Sequence, residues 1–128
     1  MKALTAEWVA KAEADWETGF LVFRSRKRPS YDDACFHAQQ CAEKYMKALL
    51  QEADVAFSKT HDLRALLNML PVKNEAWEAL RPLLVDLSDS AAVFRYPGRT
   101  SDKADAKQAL ATASRVRLLA RVQLHLAV

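Results

Sequence analysis

The sequence predicts an all-α fold, an antiparallel up-and-down helical bundle of four main helices plus a short inserted helix. Three observations lead to this prediction. The chain has 128 residues, a common size for one domain, so we treat residues 1–128 as a single helical domain. Its two glycines and four prolines are too few for the tight turns of sandwiches and barrels. Its apolar residues recur at steps of three and four, which places them on one face of a helix.

The first helix is predicted from about Thr5, a possible N-cap, to Arg26. Its apolar face is formed by Trp8, Ala12, Trp16, Phe20 and Phe23. Basic residues follow at 24–28, and Pro29 disfavours helix in the residue before it.

The second helix is predicted from Ser30, where Ser30 and Asp33 resemble a capping box, to about Ala53. Its buried stripe comprises Ala34, Ala38, Cys41, Ala42, Tyr45 and Leu49, and its polar remainder comprises Gln39, Gln40, Glu43, Lys44 and Lys47. Glu43 and Lys47 have the spacing of an ordinary i,i+4 ion pair.

Three further segments complete the bundle. A short third helix starts near His61 and Asp62 and stops before Pro71. A fourth helix follows Asn74 and reaches Phe94, and we expect a kink or break near Arg81 because Pro82 lies inside it. The turn at 95–101 leads to a last helix, from about Asp102 almost to the end of the chain.

The net charge of +3 is unevenly distributed. Residues 24–28 hold four Lys or Arg and no acid, and residues 95–128 hold seven Lys or Arg against two Asp. Such a surface attracts phosphate, as nucleic acid or nucleotide. Each cluster also has a structural explanation. The cations at 24–28 are favoured by the dipole at the C-terminus of the first helix. The arginines of the last helix would form its solvent-exposed face.

Several kinds of site are excluded or incomplete. Gly19 and Gly98 stand alone, so no glycine-rich phosphate loop exists. His37 and Cys41 have the spacing of two metal ligands, but two ligands do not complete a site, and we expect no metal and no cofactor. With no signal-peptide pattern and no membrane span, we expect a cytoplasmic protein that does not interact with a membrane.

The most specific signal is an ordered set of three motifs. The run from Phe36 to Leu50 is followed about a dozen residues later by His61, Asp62 and Leu63, and then by Arg95, Tyr96 and Pro97 before the last helix. Together they resemble the HEPN domain family over nearly the whole chain. The resemblance implies a helical bundle that commonly dimerises and that is often encoded beside a small nucleotidyltransferase in a toxin–antitoxin-like module.

The resemblance also implies a test for catalysis. Many family members are metal-independent RNases, whose signature is an arginine followed after four to six residues by a histidine. Here the corresponding residues after Arg95 are Thr100, Ser101 and Asp102, so the proton-transferring histidine is absent. We therefore expect no significant RNase activity.

These observations favour a non-catalytic HEPN protein that forms a homodimer, partners a nucleotidyltransferase and takes nucleotide or RNA as ligand. The candidate ligand-binding residues are Arg95, Tyr96, Arg99, His61, Gln40, Lys44 and Lys47, the last three on an edge of the second helix expected to face the Arg95 turn. Two alternatives stay open: an RNase toxin in which His61 is a displaced catalytic base, and a purely structural helical interaction module that binds no ligand.

Overall fold

A computed structural model describes all 128 residues and confirms the all-α bundle. The six helices are α1 (Ala3–Arg24), α2 (Tyr31–Glu52), α3 (Leu63–Met69), α4 (Glu75–Ala79), α5 (Arg81–Val93) and α6 (Lys103–Gln123). None of them combines the length and the hydrophobicity needed to cross a membrane.

Helix α2 is the centre of the bundle, because α1, α3, α5 and α6 all pack against it. The predicted stripe from Ala34 to Leu49 is buried in the core, as expected. Three members of the polar remainder of α2, Gln39, Glu43 and Lys47, are nevertheless buried, with 6%, 3% and 5% exposure. Helices surround α2 on several sides, so even its polar residues are covered.

The helix starts show two corrections. Helix α1 begins at Ala3, and Thr5 lies fully buried inside it instead of capping it. Ser30 does precede α2, but its hydroxyl donates to the Asp33 carboxylate at 2.6 Å and makes no bond to the helix backbone. That helix start is therefore held by a side-chain pair in place of a capping box.

The predicted break at Pro82 is confirmed. Helix α4 ends at Ala79, Leu80 joins it to α5, and Pro82 is the second residue of α5. In the first turn of a helix the missing N–H of proline costs no hydrogen bond. The Asn74 side chain caps α4 by accepting a hydrogen bond from the Trp77 backbone N–H at 3.1 Å.

Helices α1 and α6 run antiparallel, and side chains fix their register. The Glu13 carboxylate accepts two hydrogen bonds from Arg117, and the Trp16 indole N–H donates to the Ser114 hydroxyl at 3.0 Å. Three residues further along α1 therefore correspond to three residues back along α6. This register decides which parts of the two helices share an end of the bundle.

Candidate functional site

One end of the bundle collects basic residues from three separate parts of the chain. We call it the basic end and define it by Arg24, Arg26, Lys27, Arg28, Arg95, Arg99, Lys103 and Lys107. All of these side chains belong to exposed residues, and none forms an ion pair within the chain. Their charges are therefore available to an external anion.

The antiparallel register of α1 and α6 brings the first and last of these groups together. Because Trp16 lies beside Ser114, the last turn of α1 at Arg24 lies beside the first turns of α6, which carry Lys103 and Lys107. The cluster at 24–28 and the part of the second cluster that precedes Arg115 thus lie at the same end of the bundle. Neither cluster alone indicates this.

The Arg95 turn is attached to the same end through α2. Asp32 in the first turn of α2 accepts hydrogen bonds from both the backbone N–H and the hydroxyl of Ser101. The Arg95 guanidinium lies over the Phe36 ring, 5.0 Å from its centroid. Stacking on an aromatic ring holds a guanidinium in place while leaving its N–H groups free to meet a phosphate.

The remaining residues of the turn face different surroundings. Arg99 lines an open cavity of about 390 Å³ between α5 and α6, together with Asp105. Arg95 and Arg99 thus have different neighbours. Tyr96, a candidate ligand-binding residue, is 69% exposed. The turn does stop α5, as expected for the segment before Pro97.

The predicted edge of α2 does not belong to this surface. Lys44 reaches Asp15 on α1, and Lys47 bonds to Glu43 and lies over the rings of Trp8 and Phe57. Gln40 donates to the Gln39 side chain at 2.8 Å. The expectation that Lys44 and Lys47 face the Arg95 turn is therefore wrong, because α1 packs along their side of α2, where Lys44 pairs with Asp15 and Lys47 lies over Trp8.

His61 lies in a second arrangement, away from the basic end. Asp62 caps α3 by accepting from the Arg64 backbone N–H at 3.0 Å. His61 pairs with Glu43 of α2 instead of with its neighbour Asp62: its Nδ1 lies 2.9 Å from Glu43 Oε1. The sequence contains no signal for this pair, because its two members are 18 residues apart on different elements.

Comparison with known proteins decides the family. The family model described as "HEPN domain" matches residues 5–123. The chain belongs to the HEPN family. The fold of the crystal structure of an archaeal HEPN homologue is similar, with a TM-score of 0.75 and 24% identity over 96% of this chain and 98% of that one. A comparison with curated proteins found no match.

The HEPN assignment and the geometry together locate the departure from the RNase signature. In this HEPN chain the position four to six residues after Arg95 falls at Thr100, Ser101 and Asp102, where the turn enters α6. Asp102 is used as the N-cap of α6, accepting from the Asp105 backbone N–H at 2.8 Å. These residues hold the helix start and supply no imidazole.

Part of the basic end lies outside the ligand set that the sequence predicts. That set lacks the residues at 24–28, Lys103 and Lys107, although the sequence shows the basic clusters to which they belong. What was missing is the register between α1 and α6, which depends on contacts between residues about one hundred positions apart. The predicted antiparallel bundle is the one sequence-based indication that the end of the first helix lies beside the start of the last.

Proposed function

We propose that this HEPN protein is the non-catalytic partner of a small nucleotidyltransferase and that it binds RNA or nucleotide phosphate at the basic end. The observation that supports the proposal is the convergence of exposed, unpaired cations from α1, the Arg95 turn and α6 on one surface. Phosphate groups are the anions that such a surface attracts most strongly.

The chemistry of this surface favours binding over cleavage. Arginine dominates it, and the guanidinium fork suits the oxygens of a phosphate. Arg24 lies over the Phe20 ring at 4.9 Å, in the same manner as Arg95 over Phe36. The surface offers no histidine among its members, so it lacks a group that transfers protons near neutral pH.

The partner and the dimer follow from the family resemblance, and one surface feature agrees with an interface. Leu118 and Val122 are four residues apart on one face of α6 and are 48% and 58% exposed. Exposed apolar side chains that share a face are common at protein interfaces. We place the homodimer contact there, on the part of α6 beyond the basic end.

Light scattering tests the dimer. We expect the wild-type protein to have the mass of two chains, and Leu118→Lys with Val122→Lys to have the mass of one while keeping its helical circular dichroism. A wild-type monomer at high concentration would contradict the dimer, and an unchanged mass of the variant would contradict its placement on α6.

Fluorescence anisotropy with a labelled single-stranded RNA and with labelled ATP tests the binding. We expect saturable binding that weakens as salt rises, with a log–log slope of about −0.7 for each RNA phosphate that is neutralised. Arg95→Ala with Arg99→Ala should weaken binding and make this slope shallower by about 1 to 1.5.

The matched control is Lys11→Ala with Lys59→Ala, which removes the same charge from exposed residues outside the basic end. This control should bind like the wild type. Equal losses in the two double variants would show that only net charge matters, and the absence of any saturable binding would refute the proposed ligand. Association of the purified protein with a co-expressed nucleotidyltransferase tests the partner separately.

A further inference from the structure

His61 is an exposed imidazole held by a buried carboxylate. Its side chain is 74% exposed, whereas the Glu43 side chain that it meets is 4% exposed. The Gln39 side chain also donates to the backbone carbonyl of His61 at 2.9 Å, so both the ring and the main chain of this residue are anchored to α2. The imidazole is therefore fixed in position although most of it faces solvent.

The hydrogen bond to Glu43 determines which ring nitrogen is free. A carboxylate only accepts, so the His61 nitrogen that faces it, Nδ1, carries the proton. In the neutral ring the other nitrogen, Nε2, then has a lone pair, and it has no hydrogen-bond partner within the chain. An accessible nitrogen lone pair on an immobilised ring is a nucleophile.

The charge around Glu43 is balanced without His61. The Lys47 ammonium donates to Glu43 Oε2 at 2.9 Å, and Gln39 donates to Oε1 at 3.2 Å. The carboxylate therefore has a permanent counter-charge and does not require a protonated His61. When a group bonds to Nε2, the positive charge that develops on the ring is stabilised by the carboxylate across the Nδ1–H bond.

The surroundings of His61 suit a phosphoryl group. His61, Arg64, Ser88 and Ala92 line a cavity of about 300 Å³ between the start of α3 and α5. Arg64 is 60% exposed and lines the same cavity, where its guanidinium lies 3.8 Å from the Asp62 carboxylate. Because two acids, Asp62 and Asp89, line the cavity, a free anion is held only weakly there, and the P–N bond itself must retain the phosphoryl group.

We propose that His61 is a phosphoryl-acceptor site whose donor is a small acyl phosphate, phosphoramidate or other activated phosphate. The lone pair of Nε2 attacks phosphorus and forms a P–N bond, while the bond from phosphorus to the leaving group breaks and the leaving group keeps its electron pair. The Nδ1 proton stays on the ring, bonded to Glu43. Arg64 neutralises part of the charge of the phosphoryl oxygens. This site is separate from the basic end and does not depend on the function proposed there.

The experiment uses the full-length protein incubated with potassium phosphoramidate and, separately, with acetyl phosphate. We expect intact mass spectrometry in alkaline solution to show one added phosphoryl group, lost on brief acid treatment. Peptide mapping should place it on His61, and ³¹P NMR should show the Nε2 isomer. A label on Nδ1 of His61 would overturn the proposal, because the hydrogen bond to Glu43 protects that nitrogen.

The chain provides its own control in His125, an exposed histidine that makes no side-chain hydrogen bond within the chain. His61 should be labelled about tenfold faster than His125, since of these two histidines only His61 has an orienting carboxylate. His61→Asn should remove the label, and His125→Asn should leave the His61 label unchanged. Equal rates at the two histidines would show only the general reactivity of exposed imidazoles and would refute the proposal.

Glu43→Gln tests the role of the carboxylate and should reduce the His61 rate to that of His125. Because this variant leaves the Lys47 ammonium unpaired, it is compared with Glu43→Gln combined with Lys47→Met, which removes both charges. Circular dichroism establishes which of the two is folded. If a folded variant without the carboxylate is labelled as fast as the wild type, the mechanism is contradicted. The position of the phosphoryl group in the wild-type protein, on Nε2 or on Nδ1, tests the mechanism independently.

Discussion

Asp32 in the first turn of α2 accepts two hydrogen bonds from Ser101, one from its backbone N–H at 2.8 Å and one from its hydroxyl at 2.6 Å. The two residues are 69 positions apart, and their contact joins the start of α2 to the turn before α6. This turn carries Arg95 and Arg99. The position of the arginines at the basic end therefore depends on a contact that involves neither of them.

Ser101→Ala tests this dependence without changing the charge. The substitution removes the hydroxyl bond and leaves the backbone bond, and a hydrogen bond to a charged group contributes about 1.5 kcal/mol. We expect the free energy of unfolding, measured in urea, to fall by this amount. Amide hydrogen exchange at residues 99–101 should become faster. Ser58→Ala, at an exposed residue without a side-chain hydrogen bond, is the control. Unchanged exchange in the turn would contradict the anchoring role of Asp32.

Gly98 permits the same turn to reverse direction. Its φ is +101°, a conformation that L side chains rarely adopt, although nothing lies within 4 Å of the position that a Cβ would occupy. Gly98→Ala should therefore cost about 1–3 kcal/mol of unfolding free energy through backbone strain alone. Thermal unfolding measures this cost, and a variant as stable as the wild type would show that the turn relaxes.

Gly19 is required for a different reason, which makes it a useful comparison. A Cβ there would lie 2.9 Å from Leu110 Cδ2 and 3.4 Å from His37 Cβ, so α1 would be crowded against α6 and α2. Crowding costs about 1–3 kcal/mol, whereas replacing a helical glycine by alanine gains about 1 kcal/mol. We expect Gly19→Ala to destabilise less than Gly98→Ala when both variants are compared by thermal unfolding. The reverse order would mean that the Leu110 side chain cannot move aside.

Glu13 makes the stability of the α1–α6 contact dependent on pH. Burial raises the pKa of its carboxyl, but the hydrogen bonds from Arg117 and Tyr45 and the charges of Arg117 and Arg121 outweigh this and leave the pKa below its ordinary value of 4.5. A carboxyl with a lowered pKa stabilises the fold above its ordinary value, and this stabilisation is lost as the pH falls through the folded-state pKa.

Glu13→Gln should therefore destabilise the protein most at neutral pH. We expect a loss of about 2 kcal/mol at pH 7, because charge-assisted bonds to Arg117 and Arg121 are weakened. The difference from the wild type should shrink when urea unfolding is repeated in acid below the folded-state pKa, where the wild-type carboxyl becomes protonated. An equal difference at both pH values would show that the effect of the substitution is steric.

The sequence predicted the helices well because their signals are local. The period of the apolar residues, the Asn74 and Asp102 caps and the break at Pro82 each depend on residues within one or two turns. The start of α1 was misjudged because Thr5 has the chemistry of a cap, while its burial depends on the packing of other helices.

The site was predicted only in part, because its geometry is not local. Arg95 and His61 were recognised as residues capable of chemistry, but the partner of His61 is a carboxylate on another helix. Glu43 and Lys47 have the spacing of an i,i+4 ion pair, and nothing in that spacing shows that the surrounding helices cover it. Because the pair is buried, the Glu43 carboxylate, balanced by Lys47, can hold the His61 ring in position.

This burial leads to the last prediction, which concerns Lys47. Its ammonium is 2.9 Å from Glu43 Oε2 and lies over the rings of Trp8 and Phe57, at 5.7 and 5.9 Å from their centroids. Lys47→Met preserves the apolar packing but leaves a buried carboxylate without its counter-charge, which should cost about 3 kcal/mol of unfolding free energy.

A double-mutant cycle separates the ion pair from the packing. Glu43→Gln combined with Lys47→Met removes both charges and should be more stable than either single variant, with a coupling of at least about 1 kcal/mol in urea unfolding. Lys11→Met, at an exposed lysine of α1, should change stability by less than about 0.5 kcal/mol. Additive effects of the two substitutions would mean that Glu43 and Lys47 are solvated independently, and the immobilisation of His61 by a charge-balanced carboxylate would then lose its physical basis.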